Sequence, residues 1–266
     1  MSKRWTKAPF VRVSAALHLT AAAGALVVPG AWPWALGAVA ANHAVLTLAG
    51  LWPRSQLLGP NLSRLPDGAV ARREVALTID DGPDPEVTPR VLDMLDAANA
   101  QASFFCIGRR ARTAPALCRE IVARGHRVEN HGHAHSHAFA LWGPARMRAD
   151  IVAAQSLLAD ITGQAPAFFR PTAGLRNPLL EPVLRELDLQ LASWSRRAFD
   201  TVQADAQQVV QRLTRKLQPG AILLLHDGNA ARTRDGQAVV LACLPAILAH
   251  LQREDLHPVT LTGALA

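Results

Sequence analysis

The chain has 266 residues and half of them are hydrophobic, which supports a sizeable core and excludes a globally disordered protein. The net charge of +7 does not indicate nucleic-acid binding, because no basic cluster is interleaved with aromatic residues. The three cysteines, at positions 106, 118 and 243, are far apart and form no CxxC pair. Neither a disulfide framework nor a zinc knuckle is therefore expected.

The first element in chain order is an apolar segment without any charged residue, from Val13 to Pro53. As one helix it would be about 60 Å long, twice the hydrocarbon thickness of a bilayer. Pro29-Gly30 supplies a break near its middle. The sequence therefore predicts a transmembrane helical hairpin over residues 1–52, with spans at about 10–28 and 31–52. A cleaved signal peptide or a single anchor is the alternative.

The flanks of the hairpin predict its orientation. Four tryptophans lie near the predicted span ends, where indole rings prefer the membrane interface: Trp5, Trp32, Trp34 and Trp52. Basic residues lie on both sides of the hairpin: Lys3, Arg4, Lys7, Arg12, Arg54, Arg64, Arg72 and Arg73. The positive-inside rule then predicts a protein of the bacterial inner membrane whose downstream domain faces the cytoplasm. A periplasmic domain is the alternative.

Residues 53–72 contain several Pro and Gly residues and are interpreted as a linker, so the main domain is expected over 73–266. Short apolar runs in this domain predict strands at Val75–Ile79, Ala102–Ile107, Arg127–Glu129, Ala167–Phe169, Leu189–Trp194, Ala221–Leu225 and Pro258–Leu261. Helical periodicity lies between them at Val87–Ala98, Ala114–Arg124, Ala145–Ile161, Pro178–Leu187, Ala204–Leu217 and Val239–Gln252. The alternation predicts an α/β fold with a parallel sheet, either open or closed into a barrel.

Polar residues cluster where the predicted strands end: Asp80, Asp81, His131, His133, His135, His137, Arg170, Trp194, His226 and Asp227. In parallel α/β folds the carboxyl ends of the strands carry the chemistry, so this placement indicates an active site. The two adjacent carboxylates are consistent with a shared cation or with a polar turn. Imidazoles four residues apart with one carboxylate form a typical set for a catalytic Zn²⁺, and the spacing fits His131 with His135 or His133 with His137. An adventitious metal-binding loop stays a third possibility.

Five ordered motifs over about residues 73–262 resemble the NodB-homology polysaccharide deacetylases, carbohydrate esterase family 4. The resemblance implies a distorted (β/α) barrel of about seven parallel strands. Thr-Ile-Asp-Asp-Gly is similar to the family's Thr-Phe-Asp-Asp-Gly, which implies that Asp80 is the general base and Asp81 a metal ligand. Asn-His-Gly-His-Ala-His is similar to Asn-His-(Ser/Thr)-x-x-His and implies His131 and His135 as the other ligands of a divalent ion, with Zn²⁺ expected. Gly132 replaces the hydroxyl residue of that pattern.

The third motif, Arg-Pro-Thr-Ala-Gly, is similar to the family's Arg-x-Pro-(aromatic)-Gly. It implies that Arg170 pairs with Asp80 and that the backbone N–H of Ala173 contributes to the oxyanion hole. The chain departs from the family pattern here, because Thr172 replaces the proline and Ala173 replaces the aromatic residue.

The last two motifs are similar to the family's Trp and Asp pair and to its Leu-x-His motif. They imply that Trp194 is a wall of the sugar site and that Asp200 tunes the catalytic histidine. Leu224 would then line the acetyl-methyl pocket, with His226 as the general acid. Thr201 stands where the family pattern has a tryptophan.

These observations predict a metal-dependent hydrolase that removes an N-acyl group, acetyl or formyl, from an amino sugar. The expected partners are the membrane and an acylated amino-sugar glycan, either a polysaccharide or a lipid-linked sugar, and no nucleic acid. Two alternatives stay open. One is another metal-dependent hydrolase such as a phosphoesterase, and the other is a membrane-tethered glycan-binding module with an inactive site.

Overall fold

The structure is a computed structural model that describes residues 8–266. Trp5 and three of the basic residues behind the predicted orientation, Lys3, Arg4 and Lys7, lie outside the described residues. The described chain begins with two antiparallel helices, α1 (Pro9–Val27) and α2 (Trp32–Leu51), separated by a turn at Pro29-Gly30. Both helices are long and apolar enough to cross a membrane.

Polar side chains join the two helices of the hairpin. The Asn42 amide donates to Ser14 Oγ over 2.7 Å, and both side chains are buried in the helix–helix contact. His18 Nε2 and His43 Nε2 lie 3.1 Å apart, so one ring donates a hydrogen bond to the other. These polar groups satisfy one another's hydrogen-bonding capacity within the helix–helix contact, so the remaining faces of both helices can be apolar.

The segment after the hairpin packs on the main domain. Leu58 and Leu65 are buried, and Leu62 forms a parallel bridge with Ala192 at the edge of the sheet. Helix α3 (Asp67–Ala71) completes this segment. The stretch interpreted as a linker is thus a covering layer of the domain, because its leucines find apolar partners there.

The main domain contains eight strands: β1 (Glu74–Asp80), β2 (Ser103–Cys106), β3 (Arg127–Asn130), β4 (Phe168–Phe169), β5 (Gln190–Leu191), β6 (Arg196–Arg197), β7 (Ile222–His226) and β8 (His257–Val259). Its remaining helices are α4 (Thr88–Ala97), α5 (Gly108–Thr113), α6 (Pro115–Ala123), α7 (Pro144–Thr162), α8 (Leu180–Glu186), α9 (Ala206–Thr214), α10 (Val239–Arg253) and α11 (Leu261–Ala264).

All strand pairs are parallel, in the order β5-β4-β3-β2-β1-β7-β6, while β8 pairs with the start of β1. Strands β1 and β7 are neighbours in the interior of the sheet and are buried almost throughout. Strands β5 and β6 form the two ends of the path, so the sheet curls as a barrel that is left open. The predicted fold class is confirmed. At the carboxyl ends of β1 and β7, Asp80 and His226 are paired in register.

The strands and helices of the main domain differ from the sequence prediction at three places. The predicted strand Leu189–Trp194 is shorter, and a separate strand, β6, follows it on the opposite end of the sheet. The predicted strand Pro258–Leu261 ends at Val259, because the Thr260 hydroxyl accepts a hydrogen bond from Gly263 N and begins α11. Helix α5 was not predicted, since its sequence is dominated by arginine and carries little periodic apolar signal.

Candidate active site

Asp80 is the last residue of β1, and its buried carboxylate faces the buried guanidinium of Arg170. Arg170 Nη1 donates to Asp80 Oδ1 over 2.5 Å. The same guanidinium donates to Thr78 Oγ1, Ala192 O and Ser193 O at 2.8–3.0 Å, so its position is fixed on every side. The Asp80 carboxylate is thus held in one orientation by Arg170.

Asp81 follows β1 directly and turns its carboxylate toward two histidines. Its φ of 75° lies in the left-handed region, which lets both adjacent carboxylates reach one cavity from a strand end. Asp81 Oδ1 is 2.9 Å from His135 Nε2 and 3.3 Å from His131 Nε2. Burial raises the pKa of Asp81, but the contacts with His131 and His135 outweigh it and hold the pKa well below the ordinary range.

These three residues have the donor set and geometry of a metal centre. One ligand atom from each of Asp81, His131 and His135 lies within 4.8 Å of the others. Asp81 Oδ1 is buried and has no hydrogen-bond partner of good geometry. His131 Nδ1 donates to Arg170 O over 2.7 Å, which leaves Nε2 to face the cluster. One carboxylate oxygen and two imidazole nitrogens fit a catalytic divalent ion, because they leave positions for water and substrate.

The other histidines of the loop do not join this cluster. The ring of His133 lies against Gly108, and its Nδ1 is buried without a partner. His137 is exposed and contacts His135 edge to face, with ring centroids 5.9 Å apart. The structure therefore groups His131 with His135 and separates the alternative pair.

Asp150, on α7, holds the histidine loop in place and was not found from the sequence. Its carboxylate accepts hydrogen bonds from His133 N and Ala134 N, both over 2.9 Å. A Cβ at Gly132 would lie 2.7 Å from that carboxylate, and Gly132 has a φ of 75°. The glycine in place of the family's hydroxyl residue therefore makes room for Asp150.

Asn229 is a second residue that the sequence did not single out. Its amide donates to Asp81 Oδ2 over 3.0 Å, and its Oδ1 accepts from Arg110 Nη2 over 2.8 Å. Arg110 Nη1 also donates to Asp81 O over 2.7 Å. The pair fixes the oxygen of Asp81 that points away from the histidines. Asn229 lies three residues after His226 in a loop, where no periodic pattern marks it.

His226 ends β7 and is anchored by Asp200. The ring Nδ1 donates to Asp200 Oδ1 over 2.9 Å, and His226 N donates to Asp200 Oδ2 over 2.8 Å. Burial lowers the pKa of His226, but the contact with Asp200 outweighs it and raises the pKa above its usual value. The bond to Nδ1 leaves Nε2 as the nitrogen that can pass a proton to a substrate.

A cavity of about 810 Å³ contains these groups. Asp80, Asp81, His131, His135 and His226 line it, and so do the other predicted substrate contacts Ala173, Trp194 and Leu224. Thr201, which stands where the resembling motif has a tryptophan, lines it as well. Arg170 and Asp200 support the lining from behind.

The arrangement combines a base, a candidate metal centre and a proton donor around one space. Such a set suits hydrolysis of an amide, because attack by water needs a base and the amine needs a proton to leave. Three arginines also line the cavity, Arg109, Arg146 and Arg197. The sequence had indicated only Arg170 as an arginine of the site.

Comparisons with known proteins identify the relatives of this chain. The profile of the polysaccharide deacetylase family matches residues 67–192. The chain is 31% identical over 193 residues to a peptidoglycan-N-acetylglucosamine deacetylase of Bacillus cereus, an alignment that covers 72% of this chain and 87% of that protein.

Solved structures agree with this relationship. A family 4 carbohydrate esterase from Streptomyces lividans, in complex with acetate, superimposes with a TM-score of 0.63 and 31% identity, over 70% of this chain and 91% of that one. A pseudoenzyme of the same family from Bacillus anthracis gives a TM-score of 0.69 with 22% identity, over 78% and 69% of the two chains. The second likeness shows the fold alone.

Proposed function

Because the chain belongs to the polysaccharide deacetylase family, we propose that it is a metal-dependent hydrolase that removes the acetyl group from an N-acetylated amino sugar of a glycan. The observation that carries the proposal is the convergence of three groups in one cavity. These are the Asp80 base with its arginine, the Asp81–His131–His135 cluster, and His226.

The chain's own residues account for the proton transfers. Asp80, oriented by Arg170, takes a proton from the water whose oxygen adds to the acyl carbon. The backbone N–H of Ala173 donates to the oxyanion that develops on the carbonyl oxygen. His226 gives its proton to the sugar nitrogen as the carbon–nitrogen bond breaks, so that the products are acetate and a free amine.

A divalent ion such as Zn²⁺, held by Asp81, His131 and His135, would polarise the acyl carbonyl and lower the pKa of a bound water. Asn229 and Asp150 keep the ligands in position through Asp81 and the histidine loop. We expect Leu224 to contact the acetyl methyl group and Trp194 to contact the sugar ring.

We also propose that the α1–α2 hairpin anchors the enzyme in the bacterial inner membrane, with the domain of residues 73–266 on the cytoplasmic side. The lengths and apolar composition of the two helices support an anchor. A domain on the cytoplasmic side suits an amino sugar carried on a lipid, whereas a periplasmic domain would suit a cell-wall polymer, as in the Bacillus cereus relative.

The test is acetate release from an N-acetylated chito-oligosaccharide by the full chain in neutral detergent. Chelation should abolish the release, and added Zn²⁺ should restore it. His131→Ala should lose the bound metal, whereas His137→Ala, which removes an imidazole from the same loop, should keep it. Metal that stays bound in His131→Ala would contradict the assigned ligands.

A further inference from the structure

A second cavity of about 520 Å³ lies between the end of α2 and the active-site cavity. Residues 51–54, at the end of the hairpin, form one side of it. Ala173, Trp194 and Arg197 line this cavity and the active-site cavity alike. The two spaces therefore adjoin at the residues expected to hold the sugar and its acyl group.

This second cavity is strongly basic. Four arginines line it, Arg54, Arg196, Arg197 and Arg212, and none of the lining residues is acidic. Among residues 8–266, none of the four lies within ion-pair distance of a carboxylate. Arg196 and Arg212 each donate one hydrogen bond to a backbone carbonyl. The Arg197 guanidinium lies over the rings of Trp194 and Phe199, and its Nε is buried without a hydrogen-bond partner. Unneutralised guanidinium groups around one space favour an anion, and their planar forks match a phosphate best.

The position of the cavity limits where that anion comes from. Leu51 and Trp52 are exposed at the end of α2, and Arg54 follows them. A 20-residue helix spans about 30 Å, the thickness of the hydrocarbon layer, so these residues would lie at the membrane interface. An indole ring and a basic residue are the side chains typical of that depth. The arginines thus lie beside the headgroup region, on the side of the active site that faces the bilayer.

We infer that this arginine cavity binds the phosphate that joins an amino sugar to a membrane lipid, so that the substrate of the site is a lipid-linked sugar phosphate. The inference rests on the proposed deacetylase function. With the phosphate among the arginines, the attached sugar reaches past Trp194 and Ala173 into the active-site cavity. The lipid leaves along Leu51 and Trp52 toward the bilayer. A neutral polymer would leave the four charges without a partner.

The test is a binding titration with the full chain in neutral micelles, in the presence of a chelator so that no metal contributes. Dodecyl phosphate is the probe, and tryptophan fluorescence is the readout because Trp52 and Trp194 line the cavity. Arg54→Gln and Arg212→Gln should each weaken binding by about tenfold, the effect of one charge-assisted hydrogen bond. Arg215→Gln removes an exposed arginine three residues beyond Arg212 and should bind as the unaltered chain does.

Equal binding in all three variants would overturn the inference. Inorganic phosphate that binds as tightly as dodecyl phosphate would also overturn it, because the site would then accept a soluble anion. Phosphatidylglycerol that binds equally tightly would point to ordinary contact with the membrane surface instead of a substrate. The titration involves no turnover, so failure of the deacetylase proposal would appear separately, in the acetate assay.

Discussion

Replacing Asp80 by asparagine should separate catalysis from metal binding and should also destabilise the fold. The substitution removes the proposed general base, for which a loss of about 10²–10⁴ in kcat is expected. It also leaves the fully buried guanidinium of Arg170 without its carboxylate. Breaking a buried ion pair from one side costs about 3–5 kcal/mol. Arg170 keeps its bonds to Thr78, Ala192 and Ser193, so the lower end of that range is expected.

The comparison is Asp81→Asn, a change of the same size one residue later. Asp81 contacts His131 and His135, so its loss should weaken metal binding, and an excess of metal should restore part of the activity. Asp80→Asn should keep the metal and gain nothing from an excess. Metal content, kcat on an acetylated oligosaccharide and the free energy of unfolding would be measured for both variants.

Equal loss of metal in the two variants would refute this division of roles. Asp80 would then be a ligand, and some other group would be the base. The geometry makes this a real alternative, because Asp80 Oδ2 is only 3.8 Å from His131 Nε2. Unchanged stability in Asp80→Asn would separately refute the reasoning about Arg170.

Three further predictions concern the proton donor, the metal ligand and the topology. Asp200→Asn removes the contact that raises the pKa of His226. Because the proposed acid acts in its protonated form, the alkaline limb of the pH profile of kcat/KM should move to lower pH. An unmoved limb would exclude His226 as the acid. Asn229→Ala should weaken metal affinity by about 10–100-fold in a metal titration, because it frees the outer oxygen of Asp81; unaltered affinity would contradict that support. A reporter fused after Ala266 should be active in the cytoplasm, and activity confined to the periplasm would contradict the orientation.

Much of the fold was predictable because local patterns dominate it. Strands β1 and β7 are continuous apolar runs, and each ends on a polar residue that the sheet carries to the same edge. Alternation of strands and helices then predicts where side chains distant in sequence, such as Asp80 and His226, come together. The resemblance of the ordered motifs to the family predicted the other residues lining the active-site cavity. The structure brings three of them, Ala173, Trp194 and Leu224, to that cavity.

The residues that were missed depend on contacts between distant parts of the chain. Asn229 reaches Asp81 across 148 positions, and Asp150 reaches the histidine loop from the middle of a helix where an acidic residue is ordinary. Strand β6 has two residues, too few to show a period, and is a strand only because β7 lies beside it. Such features depend on tertiary contacts in the folded domain and give no local pattern in the sequence.

The direct attachment of the hairpin to the catalytic domain fixes the distance between the two. Arg176 N donates to Gly50 O in the last turn of α2, and Ser193 Oγ donates to Pro53 O over 2.5 Å. A side chain at Gly50 would collide with the carbonyl of Arg176, so the backbones of the hairpin and the domain are in direct contact there. With the hairpin inserted in a membrane, as proposed, the domain would act only within a narrow layer along that membrane, whereas an enzyme on a flexible linker could reach substrates over a range of distances. Its glycan would then have to be brought into that layer.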